Sequence, residues 1–175
     1  MIVNQWNVYL CAIVNFYSNK PTMGILDLFK KNAPKDEFGQ KIASDAKICV
    51  RDFGLRFAGL DYSVDSLAVV DKMLDDLSDF YPEFEEPRQQ YLVSIIGAYI
   101  FEVTRRQYGG KYYWYEQGKQ PVLVMGEPDF AISILAFDKV RGRIKNGKED
   151  NIPYYFAGVV EKMKEAKAGD RITIV

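Results

Sequence analysis

The chain has 175 residues and a mass of 20.1 kDa, the size of one ordinary domain that buries roughly 70% of its unfolded surface without a disulfide or metal staple. Its 48% apolar and 27% charged residues exclude wholesale disorder, and a net charge of −1 argues against a dedicated nucleic-acid binder. It contains no histidine, which removes Ser-His and Cys-His nucleophiles, imidazole bases and His metal sites together.

Residues 6–17, WNVYLCAIVNFY, form an apolar tract too short to span a bilayer, and no Lys or Arg precedes it as a secretory signal would require. After Pro21-Thr22 the stretch from Met23 reads as a fresh start. Residues 1–22 are therefore expected to be an upstream extension, or else an extra strand or docking segment, with residues 23–175 as a single domain. Cys11 and Cys49 fit no CxxC or metal spacing, and Cys49 reads as a buried small hydrophobe. Without a disulfide framework, a reducing, cytoplasmic compartment is the expectation.

Phe38, Ile42, Ala46, Cys49, Val50 and Phe53 recur at helical spacing and predict a first helix that Gly54 can end. Residues 55–60 read as a short connection or strand. Ser63 reads as the N-cap of a second helix carrying Leu67, Val70, Leu74 and Leu77, with Asp65 near its positive end. Pro87 suits the first turn of a third, most buried helix with Leu92, Ile95, Ile96, Tyr99, Ile100 and Val103, which Gly109-Gly110 stops. Residues 111–116 and 122–125 then read as a hairpin, and 131–137 as a further strand. Asp138 is expected to cap a short basic helix over 139–145. Asn151 and Pro153 open a last helix that Gly169 closes, and 172–175 return as a strand. The fold class is α+β: N-terminal helices packed on a mainly antiparallel sheet, with a C-terminal helix.

Four constellations could carry function. Between residues 64 and 86 stand eight acids (Asp65, Asp71, Asp75, Asp76, Asp79, Glu83, Glu85 and Glu86) against Lys72 alone. The i, i+4 series Asp71, Asp75, Asp79 places like charges on one helix edge, which reads either as a solvated face or as a surface that steers a basic partner. Asp75-Asp76-x-x-Asp79 spells a Mg²⁺-diphosphate motif, but no second acidic motif faces it, and neither a metal nor a cofactor is expected. Glu102 on the apolar third helix can pair with Arg105 and Arg106 as a structural bridge. Its sharper alternative is a general acid or base in a ligand pocket with Arg105, Arg141 and Arg143.

The run 112–115 puts Tyr112 and Trp114 on one strand face and Tyr113 and Tyr115 on the other, one pair entering the core and one available as an interface platform. Finally, Lys139, Arg141, Arg143, Lys145 and Lys148 lie in a stretch from 105 to 148 with nine bases against four acids. They either neutralise the protein's own acids or touch phosphate, and the overall charge favours the first.

Three groups of residues together resemble a loose set of small bacterial cytoplasmic domains, some of them regarded as immunity or accessory proteins beside toxin genes. The groups are Leu60-Asp61-Tyr62-Ser63 with Ser66-Leu67 and Val70-Asp71; Gly97-Ala98-Tyr99 with Glu102 and Gly109-Gly110; and Arg143-Ile144-x-Asn146-Gly147-x-Glu149-Asp150 with Tyr154-Tyr155. Phe101 departs from the pattern, which would place a small residue before Glu102. The resemblance implies a bacterial interaction protein. The leading expectation is a non-enzymatic domain that captures a basic protein, with Asp71, Asp75, Asp76 and Asp79 steering and Tyr112 and Trp114 giving affinity. The rival is a small enzyme or ligand-binding domain around Glu102, Arg105, Arg141 and Arg143. No membrane partner is expected, and self-association stays open.

Overall fold

A computed structural model describes residues 37–175. The expectations for 6–17 and for a start at Met23 lie outside the described residues. The elements run α1 (Glu37–Phe53), α2 (Ser66–Ser78), a single 3₁₀ turn (Tyr81–Glu83), α3 (Glu86–Tyr108), β1 (Lys111–Tyr115), β2 (Gln120–Met125), β3 (Ala131–Ile134), α4 (Ala136–Asn146), a second 3₁₀ turn (Gly147–Asp150), α5 (Ile152–Glu165) and β4 (Arg171–Ile174). The α+β class is as expected.

The sheet is mixed. Its order is β1-β2-β3-β4, with β1–β2 and β2–β3 antiparallel and β3–β4 parallel, Ala131 opposite Arg171 and Ile134 opposite Ile174. The parallel step follows from the connection between the two strands. The chain leaves β3, crosses through α4 and α5, and re-enters alongside β3 in the same direction, as a helical crossover permits and a tight turn does not.

The core lies between the helices and one face of this sheet. Ile42, Ala46 and Cys49 of α1 pack with Ile96, Tyr99, Ile100 and Val103 of α3, and Leu123, Met125, Ile132 and Ile134 of the sheet close the layer beneath. Phe137 of α4 lies against Gly97, where an added Cβ would run into its ring, so the glycine lets α3 and α4 approach closely. Gly109, at φ +71°, ends α3 and donates its N–H to the Arg105 carbonyl.

Several local expectations shift. The second helix starts at Ser66 with Asp65 as its N-cap, and Ser63 acts just ahead of it, its Oγ accepting from Ser66 N at 3.2 Å. Residues 55–60 form turns rather than a strand. The predicted strand 131–137 stops at Ile134, and Phe137 and Asp138 already belong to the first turn of α4. The strand end and the first helical turn are both buried there, so the apolar run carries no periodicity that marks the boundary. Asn151 caps α5 as expected, accepting from Tyr154 N at 2.9 Å. That helix ends at Glu165, ahead of Gly169, which instead donates to the Asp129 carbonyl in the turn before β4. Among the described residues, no helix is long and apolar enough to cross a membrane.

Candidate functional site

The predicted residues separate into three places. The first is a buried clamp between α2, α4 and α5. Arg143 is 1% exposed, and its guanidinium reaches Asp71 (Nε to Oδ1 2.8 Å, Nη2 to Oδ2 3.1 Å) and Asp75 (Nη2 to Oδ1 2.9 Å). Asp71 Oδ1 also accepts from the first amide of α5, Ile152 N, at 2.9 Å. Burial pushes the Asp71 carboxyl up, but the hydrogen bonds from Arg143 and Ile152 and the Arg143 charge outweigh it and hold the group below its ordinary 3.8. These residues serve the fold. Asp71 and the half-exposed Asp75 are thus both engaged by Arg143, whose Nη1 is buried without a hydrogen-bond partner.

The rest of the basic stretch is engaged in the same way. Lys139 holds Asp150 at 2.5 Å, and Arg141 pairs with Asp138 at 2.9 Å on the exposed side of α4. The bases of 139–143 thus neutralise the protein's own acids. Positions 141 and 143 differ by two residues, so a helix turns their side chains to opposite sides. That is why Arg141 is exposed while Arg143 is enclosed.

The second place is Glu102, 3% exposed. Its Oε1 accepts from Arg105 Nε at 2.8 Å and from the Tyr112 hydroxyl at 2.9 Å, and Oε2 accepts from Arg105 Nη2 at 3.1 Å. Burial pushes this carboxyl up, but the hydrogen bonds from Arg105 and Tyr112, with the charges of Arg105 and Arg106, prevail and hold it below 4.5. A carboxylate held charged and already accepting three hydrogen bonds is poorly matched to general acid or base work near neutral pH. Tyr112 sits in the core against Phe38 and Phe101, and burial followed by the Glu102 charge drives its hydroxyl well above the usual phenol range. At 8% exposure Tyr112 presents no surface to a partner, and Trp114 on the same strand face is packed against the core. Alternation paired these two correctly, but it was Tyr113 and Tyr115 that turned away from the core. Among the described residues, no hydrogen bond or ion pair joins Glu102 or Arg105 to Arg141 or Arg143.

Beside Glu102, Arg106 lies 3.7 Å over the Tyr62 ring, which stacks on Tyr99 at 4.8 Å. Tyr62, in the left-handed region at φ 65°, donates its N–H to the Tyr99 hydroxyl at 2.9 Å, and that hydroxyl donates to Ser66 Oγ at 2.7 Å. This network fixes the 59–66 connection onto α3. An open groove of about 530 Å³ lies elsewhere, between the end of α5 and β4, lined by Lys162, Glu165, Lys167, Asp170 and Ile172. None of the predicted site residues lines it.

The third place is the end of the molecule where α1 and α2 finish and α3 begins. Tyr91 of α3 donates to Asp52 at 2.7 Å, Arg56 reaches Asp76 at 3.4 Å, and Gln89 Nε2 clamps the connection by donating to the carbonyls of Tyr81 (3.0 Å) and Phe84 (2.9 Å). On this framework Asp79, Glu83, Glu85 and Glu86 are exposed, and none of them forms an ion pair among the described residues. Phe80 stands 55% exposed in their midst, with Leu55 fully exposed after the end of α1. One base, Arg88, belongs to the group and lies 4.2 Å over the Phe84 ring.

No family model, curated protein or solved structure matches this chain.

Sequence reasoning missed Phe80 because it falls three residues after Leu77 and so reads as one more position of the apolar stripe of α2. Pro82, which ends helical geometry, and the acids on either side were the signals available. Among the described residues, no cluster of Cys, Asp or Glu could hold a metal ion. Within the diphosphate-like spelling, Asp75 is taken by Arg143 and Asp76 by Arg56. Cys49 is a free, buried thiol, pushed up to about 12 by burial and by the nearby Asp52 charge.

Proposed function

We propose that the chain is a non-enzymatic protein-binding domain that takes a basic protein on the acidic end built by 76–88. The observation that carries this reading is Phe80, a large apolar side chain left in water within a stretch of chain that also exposes Asp79, Glu83, Glu85 and Glu86. Unpaired acids give long-range attraction to a basic surface, while an exposed aromatic gives the short-range, water-excluding contact that dominates interface energies. This reading keeps Asp79 of the expected steering residues and takes Glu83, Glu85 and Glu86 in place of Asp71 and Asp75, which Arg143 engages. Given the resemblance to bacterial immunity and accessory domains, neutralisation of a basic toxin is one concrete form of the activity.

Affinity capture from lysate of the source cells, with the native chain beside Asp79→Lys/Glu83→Lys/Glu85→Lys and beside Phe80→Ala, tests it. The expected result is one stoichiometric basic protein that the native chain retains, the charge variant loses, and moderate salt weakens. Equal retention by all three proteins, or capture of nucleic acid instead, overturns the reading.

A further inference from the structure

The turn between β1 and β2 carries buried polar atoms left without a partner. Gln120, the first residue of β2, is fully buried. Its Oε1 accepts from Asp138 N in the first turn of α4 at 3.2 Å, so this carboxamide caps a helix whose own N-cap, Leu135, makes no capping bond. The other half of the group, Nε2, is buried without a hydrogen-bond partner, and so is Oε1 of Glu116. Backbone pairing holds these two residues close together. Tyr115 stands opposite Gln120 across the hairpin, and Lys119 donates its N–H to the Glu116 carbonyl at 3.2 Å. Gln120 Nε2 itself lies against the turn, since a Cβ added at Gly118 would stand 2.9 Å from it. One of the two atoms is a donor and the other an acceptor, yet they do not bond to each other. Polar groups buried in folded proteins are answered, because a group left unanswered gives up its hydration for nothing.

We infer that this turn is a binding site for a single internal water molecule, which accepts from Gln120 Nε2 and donates to Glu116 Oε1. The chemistry of the two groups selects it. An anion would accept from Gln120 and gain from the positive end of α4, but it would meet the Glu116 carboxylate. A cation would suit Glu116, but it would meet the amide donor and the same helix end. A neutral molecule that both donates and accepts satisfies the two atoms together, and water does so with the fewest atoms. Both atoms are closed to solvent, so the site takes a molecule of water's size rather than a substrate. Gln120 then joins two elements through one planar group. Its oxygen holds the first turn of α4 directly, and its nitrogen holds the hairpin turn by way of the water.

A crystal structure of the full chain, at a resolution that shows ordered water, tests this with native crystals and with crystals soaked in rubidium bromide. Nuclear magnetic resonance supplies an independent reading in solution, as cross-relaxation between water and the side-chain amide protons of Gln120. The expected result is one water within about 3 Å of both Gln120 Nε2 and Glu116 Oε1, no anomalous peak there after the soak, and a persistent cross-peak from water to the Gln120 amide. Four results would overturn the inference. They are an anomalous peak from bromide, which makes the site one for anions; an anomalous peak from rubidium, which makes it one for cations; a protein atom bonded directly to Gln120 Nε2; and no density between the two groups. Should crystals fail to form, the cross-peak decides alone, and its absence overturns the inference as well.

Discussion

The two halves of the acidic run have opposite fates. Asp71 and Asp75, on the side of α2 that faces α4, are spent on a buried arginine, while Asp79, Glu83, Glu85 and Glu86, past the last turn of that helix, remain in water. Spacing and composition are alike in both halves. What separates them is whether a cation arrives from another element. Local charge density is therefore a poor guide to a binding surface until the long-range partners are known.

The largest effect should come from breaking the buried half. Asp71→Ala leaves Arg143 enclosed with Asp75 alone and orphans the Ile152 amide, and it should cost about 3 kcal/mol, read as a lower denaturant midpoint at unchanged slope. Glu102→Gln should cost about 1–2 kcal/mol, because the amide keeps the shape but loses the charge that Arg105 answers, and capture of a basic partner should not change.

Acid sharpens the contrast. Asp71 and Glu102 both titrate lower in the folded protein than their ordinary values of 3.8 and 4.5, so the stability they give is complete above those values and is lost as pH falls through the lower folded ones. Asp45 acts in the opposite sense. Burial raises its carboxyl despite Lys41, so its contribution is present at low pH and fades as pH rises. A pH series of unfolding midpoints should show a fall below pH about 4 that is shallower in Asp71→Ala. The smallest stability effect belongs to the exposed half, where Asp79→Lys/Glu83→Lys/Glu85→Lys should shift stability by no more than about 0.5 kcal/mol while abolishing capture.

Much of the architecture was legible because it is local. The face of α1 through Phe38, Ile42, Ala46 and Cys49, the long α3 with its glycine stop, the hairpin and the Asn151 cap all follow from patterns within a few residues. The direction of β4 was not, since period-2 alternation reads the same whether a strand runs parallel or antiparallel to its neighbour. Nor was the role of Arg143. It lies in a stretch of five bases that resembles a solvated patch, and its partners stand 72 and 68 residues earlier in the chain. The Tyr112–Glu102 contact was half visible: pairing Tyr112 with Trp114 was correct, but alternation assigns partners to a face without saying which face meets the core.

The distance along the chain between Arg143 and Asp71 bears on how the protein comes apart. Closing a loop of that length costs entropy that local helical contacts do not, so the clamp is expected to form late, after α1 has packed on α3 and the hairpin has closed. Interactions made after the folding barrier set the rate of unfolding rather than of folding. On that footing Arg143 is a latch on the finished molecule. It does little to hasten arrival at the native state and much to lengthen the time spent there.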